Sequence, residues 1–236
     1  MKIHPVFEVI KTIAADQVTC VIGVPADYKN MQIFGLTGKY CAGKNYIASL
    51  LEARGLGVLD VDKLGYQALE AEKKNIFAQF GADLQKTDGS LDRRLLGQRV
   101  FGKPENLTAL EAIVHPPVNR LTEEWIAERD RAGDRACIIN AALLHKSIVF
   151  NRLEKIILVS APFFTRLLRA RRRDGLSWRE ILARFVSQKD FNSQYLAKNA
   201  EIYIVENPGF NGGEPSCSRK RNQKLERRFD KILGNC

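Results

Sequence analysis

Between a short apolar run and a helical repeat lies Gly38-Lys39-Tyr40-Cys41-Ala42-Gly43-Lys44-Asn45, with four residues between its two glycines and a lysine directly after the second. Few local features constrain a chain as strongly. Glycines at those places let the backbone curl so that successive N–H groups converge, and a helix beginning there adds the positive end of its dipole. This is the chemistry of a loop that cradles nucleotide phosphates, with Lys44 reaching the β and γ phosphates. The strict pattern fails at its last position, where Asn45 stands in place of serine or threonine. A hydroxyl there binds the nucleotide's Mg2+, and an asparagine carbonyl is also a neutral oxygen ligand. A glycine-rich turn that holds nothing is the alternative reading.

The surroundings decide what such a loop is mounted on. Met31 to Leu36 reads as a short buried strand running into Thr37-Gly38, and Ile47, Leu50 and Leu51 have helical spacing. A second strand is expected at Gly57-Val58-Leu59-Asp60. From Asp62 to Asp134 the pattern is helical, with turn signals at Thr87-Asp88-Gly89-Ser90, Lys103-Pro104 and His115-Pro116-Pro117. Apolar runs return at Ala136 to Ile139, Lys155 to Val159 and Glu201 to Val205, separated by helical stretches. Five strands alternating with helices make an α/β fold with a mostly parallel sheet, whose ligands lie beyond the carboxyl ends of the strands. Gly209 to Ser218 is a loop by composition, and Lys220 to Leu233 forms a helix with Leu225, Phe229, Ile232 and Leu233 on one stripe.

Charge says what kind of partner to expect. The 236 residues carry a net charge of +10, yet it is local: Arg152 to Arg184 holds nine basic residues against three acidic, Asn211 to Cys236 seven against three, and the remainder is neutral. Two basic patches on a neutral trunk hold something anionic. Nucleic-acid modules interleave aromatics with basic residues, and here only Trp178, Phe185 and Phe229 do so, all of which read as core positions. Cys20, Cys41, Cys137, Cys217 and Cys236 have no C-x-x-C spacing, so neither a disulfide framework nor a zinc site is suggested, and the chain reads as cytoplasmic. No apolar run approaches the roughly 18 residues of a membrane span.

Two further constellations carry chemistry. Asp60-Val61-Asp62 follows the second strand, and in an extended conformation the two carboxylates point to the same side. One would take a proton from an attacking hydroxyl while the other orients it or a Mg2+-bound water; the alternative is that Asp62 caps a helix. Arg166, Arg169 and Arg173 share a helix face, followed by the Asp174-Gly175 turn and then Arg179 and Arg184. Phosphoryl transfer needs positive charge closing over the γ phosphate, which such a segment supplies as a lid; a solvated basic face is the other possibility. His115 on its own reads as structural.

The ordered set of Gly35-Leu36-Thr37-Gly38, the loop, Asp60-Val61-Asp62, Asp88-Gly89-Ser90-Leu91, Arg93-Arg94, Val100-Phe101, His115-Pro116, Leu143-Leu144, Arg173-Asp174-Gly175, Gln188 and Ala200 to Asn207 resembles the bacterial dephospho-CoA kinases, over about residues 31–210. The resemblance implies an adenylate-kinase-like P-loop kinase: a three-layer sandwich with a five-stranded parallel sheet, a helical substrate-binding insertion over 62–134 and an arginine-rich lid over about 165–190. It implies ATP-dependent phosphorylation of the ribose 3′-hydroxyl of dephospho-CoA, with Mg2+, by a monomer with no specific nucleic-acid or membrane partner. Carried over, Gly38, Lys39, Tyr40, Cys41, Ala42, Gly43, Lys44, Asn45 and Tyr46 hold the ATP phosphates and Asn45 the metal. Asp62 is the general base, and Lys44 and Arg173 act on the transferred group. Arg169 and Arg184 belong to the lid and adenine side, and Asp60, Arg94 and His115 to the dephospho-CoA site.

The departures from the family pattern fall near the phosphates. Lys39-Tyr40-Cys41-Ala42 replaces Gly-Ile-Gly-Ser, Asn45-Tyr46 replaces Ser-Thr, Ala142-Leu143-Leu144-His145-Lys146 replaces Pro-Leu-Leu-Phe-Glu, and Asn199 replaces Asp. Losing two glycines stiffens the loop. The competing expectations are another small-molecule P-loop kinase and a catalytically degenerate nucleotide-binding protein. Residues 1–30 lie outside the resemblance as an extension of unassigned role, for which a start site misplaced upstream of Met31 is the expectation, and 211–236 form a basic tail.

Overall fold

The computed structural model describes residues 31–186, 188, 191, 195, 200–207 and 215–234. The expectations for residues 1–30, for Asn199 and for 209–214 of the expected loop lie outside the described residues, whereas Pro215 to Ser218, expected as loop, are corrected to the first turn of the last helix. In chain order the elements are β1 Gln32–Gly38, α1 Lys44–Glu52, β2 Gly57–Asp60, α2 Val61–Ala71, α3 Lys73–Phe80, α4 Arg93–Val100 and α5 Pro104–Arg131. There follow β3 Ala136–Asn140, β4 Lys155–Ser160, α6 Phe163–Asp174, α7 Trp178–Val186, β5 Glu201–Glu206 and α8 Pro215–Leu233. The described residues form two compact units, a sheet unit built from 31–59 and from 132 onward, and a helical unit Asp60–Arg131.

The sheet unit holds five strands in the order β2-β3-β1-β4-β5, with β1 parallel to both β3 and β4, and β4 parallel to β5. Six of the seven residues of β1 are buried, which is why it reads as a continuous apolar run: a central parallel strand is covered on both faces. Phe34 and Leu36 join Ile47, Leu51, Ile138, Ile157 and Val159 in the principal core. The chain leaves β1 toward β2 on one side, whereas β4 leads to β5 on the other. The crevice beyond the carboxyl ends of β1 and β4 is therefore the topological switch point, where open α/β sheets bind ligands. At that end Gly38 lies opposite Val159, and a Cβ on it would come within 2.8 Å of the Val159 carbonyl oxygen. Only glycine fits there.

Helix α8 is attached by its apolar stripe. Leu225, Phe229 and Ile232 are buried, each contributing roughly 1.5–3 kcal/mol. Arg54 adds ion pairs to Glu226 and Asp230 and stacks over Phe229, but such partly exposed pairs are worth only about 0–1 kcal/mol each. Arg227 and Lys231 remain exposed, as the sequence pattern implies.

The helical unit packs around Leu69, Ile76, Phe80, Leu84, Leu91, Leu96, Val100, Leu107 and Leu110. The turn signal at Thr87-Asp88-Gly89-Ser90 is real: Asp88 Oδ1 accepts from the Ser90 N–H at 2.9 Å, Gly89 has φ +78°, and Gln85 bridges to Leu91 across it. The expected break at His115-Pro116-Pro117 is corrected, because α5 runs unbroken through both prolines. Each proline deprives the carbonyl four residues earlier of its donor. The first of these is on Ala112, an exposed residue, where an unpaired carbonyl costs least because water can reach it.

Candidate active site

The loop Lys39–Gly43 leaves β1 at the switch point and opens directly into α1. Its shape is set by two left-handed residues, Cys41 at φ +58° and Gly43 at φ +93°. Glycine takes that conformation freely, whereas Cys41 is the only non-glycine residue with positive φ among those described, so the departure noted above sits where a side chain is least welcome. At Gly43 a Cβ would meet Asn207 Nδ2 at 2.2 Å. Gly43→Ala is therefore expected to cost roughly 1–3 kcal/mol of stability and to weaken ATP binding, read by thermal unfolding and calorimetry; an unchanged melting temperature and affinity would remove the conformational argument.

The loop is held by its carbonyls. Arg166 Nε donates to Tyr40 O at 2.9 Å, Arg169 Nη1 to Ala42 O at 3.0 Å and to Cys41 O at 3.4 Å, and Asn207 Nδ2 to Ala42 O at 3.0 Å. Gln188 Oε1 accepts from the Tyr40 N–H at 2.7 Å, and Ala42 N–H closes a turn onto Lys39 O. No described residue accepts from the backbone N–H of Cys41, Gly43 or Asn45. With its acceptors engaged, the loop retains three donors at the N-terminus of α1, the arrangement an anion requires.

Arg166, Arg169 and Arg173 share a face as their spacing implies, and that face meets the loop. Arg166 is buried and its guanidinium stacks over Phe185 at 4.3 Å. Helices α6 and α7 form a hairpin closed by Gly175 in the left-handed conformation. Inside it Asp174 accepts from Arg173 Nε at 2.8 Å, from Arg184 Nη1 at 3.5 Å and from the Tyr40 hydroxyl. Burial pushes the Asp174 carboxyl up, but these donors and the charges of Arg173 and Arg184 outweigh it and hold the group below the ordinary carboxylate range. Burial and the bond to Asp174 push the Tyr40 phenol up to about 12. Both groups therefore keep their charge states, ionised and neutral, near pH 7. Trp178 is corrected from a core position: it is 48% exposed, with Arg171 stacked on it at 5.5 Å.

Asp60 and Asp62 are not the extended pair expected from alternation. The helix starts one residue earlier, at Val61, so Asp60 becomes its N-cap and accepts from the Lys63 N–H at 3.1 Å, while Asp62 stands in the first turn. The cap thus falls to Asp60 rather than Asp62. One turn beyond, the half-buried Tyr66 has its phenol raised by burial and then by the Asp62 charge, and Arg93 stacks over its ring at 5.0 Å. Arg94 is exposed in the first turn of α4, capped by Asp92, and His115 is half-buried in α5; these helices pack on each other within the helical unit. Lys44 and Tyr46 are half-buried in the first turn of α1, and Asn45 is exposed between them.

Sequence reasoning missed four groups. Asn207 and Gln188 were visible only as members of the ordered motif set, and Tyr66 and Arg93 had no signal as a stacked pair. A fifth, Asn140 at the carboxyl end of β3, is 2% exposed, and its Oδ1 has no hydrogen-bond partner among the described residues. A buried amide oxygen left unpaired costs about 1–3 kcal/mol, and nothing in the alternation of the strand announces it.

The family model described as dephospho-CoA kinase matches residues 32–210. The dephospho-CoA kinase of Treponema pallidum is 33% identical over 184 residues, covering 75% of this chain and 87% of its own. That of Anaeromyxobacter dehalogenans is 36% identical over 182 residues, covering 76% and 85%. Among solved structures, TT1252 from Thermus thermophilus superposes with a TM-score of 0.71 at 34% identity, over 87% of this chain and 98% of that one. The dephospho-CoA kinase from Campylobacter jejuni gives 0.59 at 25% identity, over 86% and 98%.

Proposed function

From the premise that the chain belongs to the dephospho-CoA kinase family, we propose that it transfers the γ-phosphoryl group of ATP to the ribose 3′-hydroxyl of dephospho-CoA, the last step of coenzyme A synthesis. The observation that carries this is the loop itself: its carbonyls are tied back by Arg166, Arg169 and Asn207, while the N–H groups of Cys41, Gly43 and Asn45 are left as donors at a helix N-terminus. Such donors, fixed before the ligand arrives, stabilise the phosphate charge without reorganisation.

In this reading Gly38 to Tyr46 hold the triphosphate and Lys44 places its ammonium on the β and γ oxygens. Asp62 takes the proton of the 3′-hydroxyl as the oxygen bonds to the γ phosphorus and the bond to the β-bridging oxygen breaks, releasing ADP. Arg173 stabilises the transferred charge, and Arg169 and Arg184 belong to the lid over the nucleotide, formed by α6 and α7. Asp60, Arg94 and His115 serve the acceptor, in the helical unit.

The residues present suit an ion brought in by the nucleotide. No group of three or more His, Cys, Asp or Glu that would hold a metal exists among the described residues. Exposed Asn45 and the unpaired Asn140 Oδ1 are neutral oxygens, and Mg2+ bound through phosphates takes few protein ligands while keeping several waters. Asn45 would hold the ion and Asn140 one of its waters; when bound, the ion neutralises charge on the β and γ oxygens. Asn45→Ala is expected to raise the Mg2+ concentration for half-maximal turnover several-fold, and an unchanged Mg2+ dependence would remove Asn45 from the metal shell.

No helix of the described residues is long and apolar enough to cross a membrane. Action in the cytoplasm as a monomer on these two anionic substrates completes the proposal. It is tested by the position of the new phosphate in the product: NMR placing it on the ribose 3′ oxygen is the expected result, and phosphate elsewhere on the molecule would overturn the assignment.

A further inference from the structure

One side chain of the phosphate loop does something that the loop's chemistry does not require. Tyr40 leaves the loop and inserts its ring between α6 and α7, where it packs with Cys41, Ala170, Ile181, Leu167, Leu176 and Phe185 and is 8% exposed. Phe185 meets it edge to face at 5.8 Å. The guanidinium carbons of Arg173 and Arg184 lie 5.3 and 5.5 Å from the ring centroid. Its hydroxyl donates to Asp174 Oδ2 and accepts from Arg184 Nη1 at 3.1 Å. The same Asp174 takes two bonds from Arg173, at 2.8 and 3.2 Å. One phenol thus joins the loop to both arginines and to the carboxylate between them.

We propose that Tyr40 is a positioning residue, whose phenol holds the guanidinium groups of Arg173 and Arg184 against the phosphate loop so that they are placed before ATP arrives. The proposal rests on the ATP-binding reading of that loop. Arginine side chains carry large conformational freedom, and fixing them in advance removes an ordering cost from ligand binding. The family pattern has isoleucine at this position, which has neither a hydroxyl for Asp174 and Arg184 nor a ring face for their cations. In this chain the anchor stands beside two loop positions, Lys39 and Cys41, at which that pattern has glycine. The loop, with Cys41 in a left-handed conformation, is held by the Tyr40 side chain as well as by its carbonyls.

Tyr40→Phe keeps the ring, the stacking and the apolar contacts and removes only the hydroxyl. Asp174 keeps both arginine donors, so its charge stays compensated and the fold is retained. Losing a hydrogen bond to a charged group corresponds to a KM for ATP raised roughly tenfold or more. The KM for dephospho-CoA should move less than about twofold, and Tyr40→Ile, which also removes the ring, should raise the KM for ATP further. A second measurement separates positioning from general loosening: in an Arg184→Lys background the Tyr40→Phe effect should shrink below about threefold, since residues acting through one another are not additive. A KM for ATP within twofold of the unmodified chain would overturn the proposal. So would effects of Tyr40→Phe and Arg184→Lys that multiply, or both KM values rising together with a fall in melting temperature. Indifference to Tyr40→Phe in a chain that binds ATP overturns this proposal alone, whereas absence of ATP binding in the unmodified chain overturns the nucleotide reading and this inference with it.

Discussion

Replacing Asp62 by asparagine lowers kcat by about 10²-fold or more, the loss expected when a general base can no longer accept a proton, and leaves ATP affinity within about twofold. The two aspartates after β2 make this a clean experiment. Asp60 carries the helix cap through its bond to the Lys63 N–H, so α2 keeps its start when Asp62 is changed. The charge of Asp62 is felt by Tyr66, whose phenol it helps to raise, and Arg93 stacks on that ring. Asparagine keeps the shape and one hydrogen-bonding oxygen in this setting, and removes the negative charge and with it the basicity. Asp60→Asn gives the contrast: asparagine caps a helix about as well as aspartate, so its stability change is small. Steady-state kinetics and ATP calorimetry on both variants decide the point, and a retained rate in Asp62→Asn would end the general-base assignment.

Lys44→Met should reduce kcat by roughly 10²–10³-fold, the range for removing one preorganised donor from developing charge. Lys44 is the first residue of α1, directly after the left-handed Gly43, and sits on the same turn as the N–H groups of the loop. Methionine matches its length and apolar stem, so the carbonyl ties to Arg166, Arg169 and Asn207 are left in place. The change should appear in single-turnover phosphoryl transfer more than in stability. A kcat within threefold of the unmodified enzyme would mean that the lysine does not reach the phosphates.

How much of this was legible in the residues depends on whether an effect is local. The buried strand ahead of Gly38 could be read because a parallel strand covered on both faces is apolar throughout, and the helix after Gly43 because its apolar residues repeat at helical spacing. The arginine face of α6 followed from spacing alone. Which atoms those arginines touch did not, since nothing in a periodic pattern distinguishes a guanidinium aimed at solvent from one bonded to Tyr40 O or Ala42 O. The Asp60 cap was missed because a one-residue shift in helix start exchanges an extended carboxylate for a capping one. The prolines after His115 mislead for a related reason: packing within the helical unit overrides a local breaker when the orphaned carbonyl can reach water. Trp178 was misjudged since an aromatic at helical spacing is more often inside than out, and here the ring lies under Arg171 at the surface.

The same distinction explains the charge. The excess in the arginine-rich stretch is spent on the loop carbonyls, on Asp174 and on the ring of Tyr40, all within the sheet unit. A triphosphate is a sufficient anionic partner for what remains. The most direct measurement is ADP formation from ATP in Mg2+ with and without dephospho-CoA. ADP released in step with dephospho-CoA consumed, and near background without it, is the predicted result. ATP bound tightly with no dephospho-CoA-dependent ADP release would contradict the account and leave a nucleotide-binding protein without kinase activity.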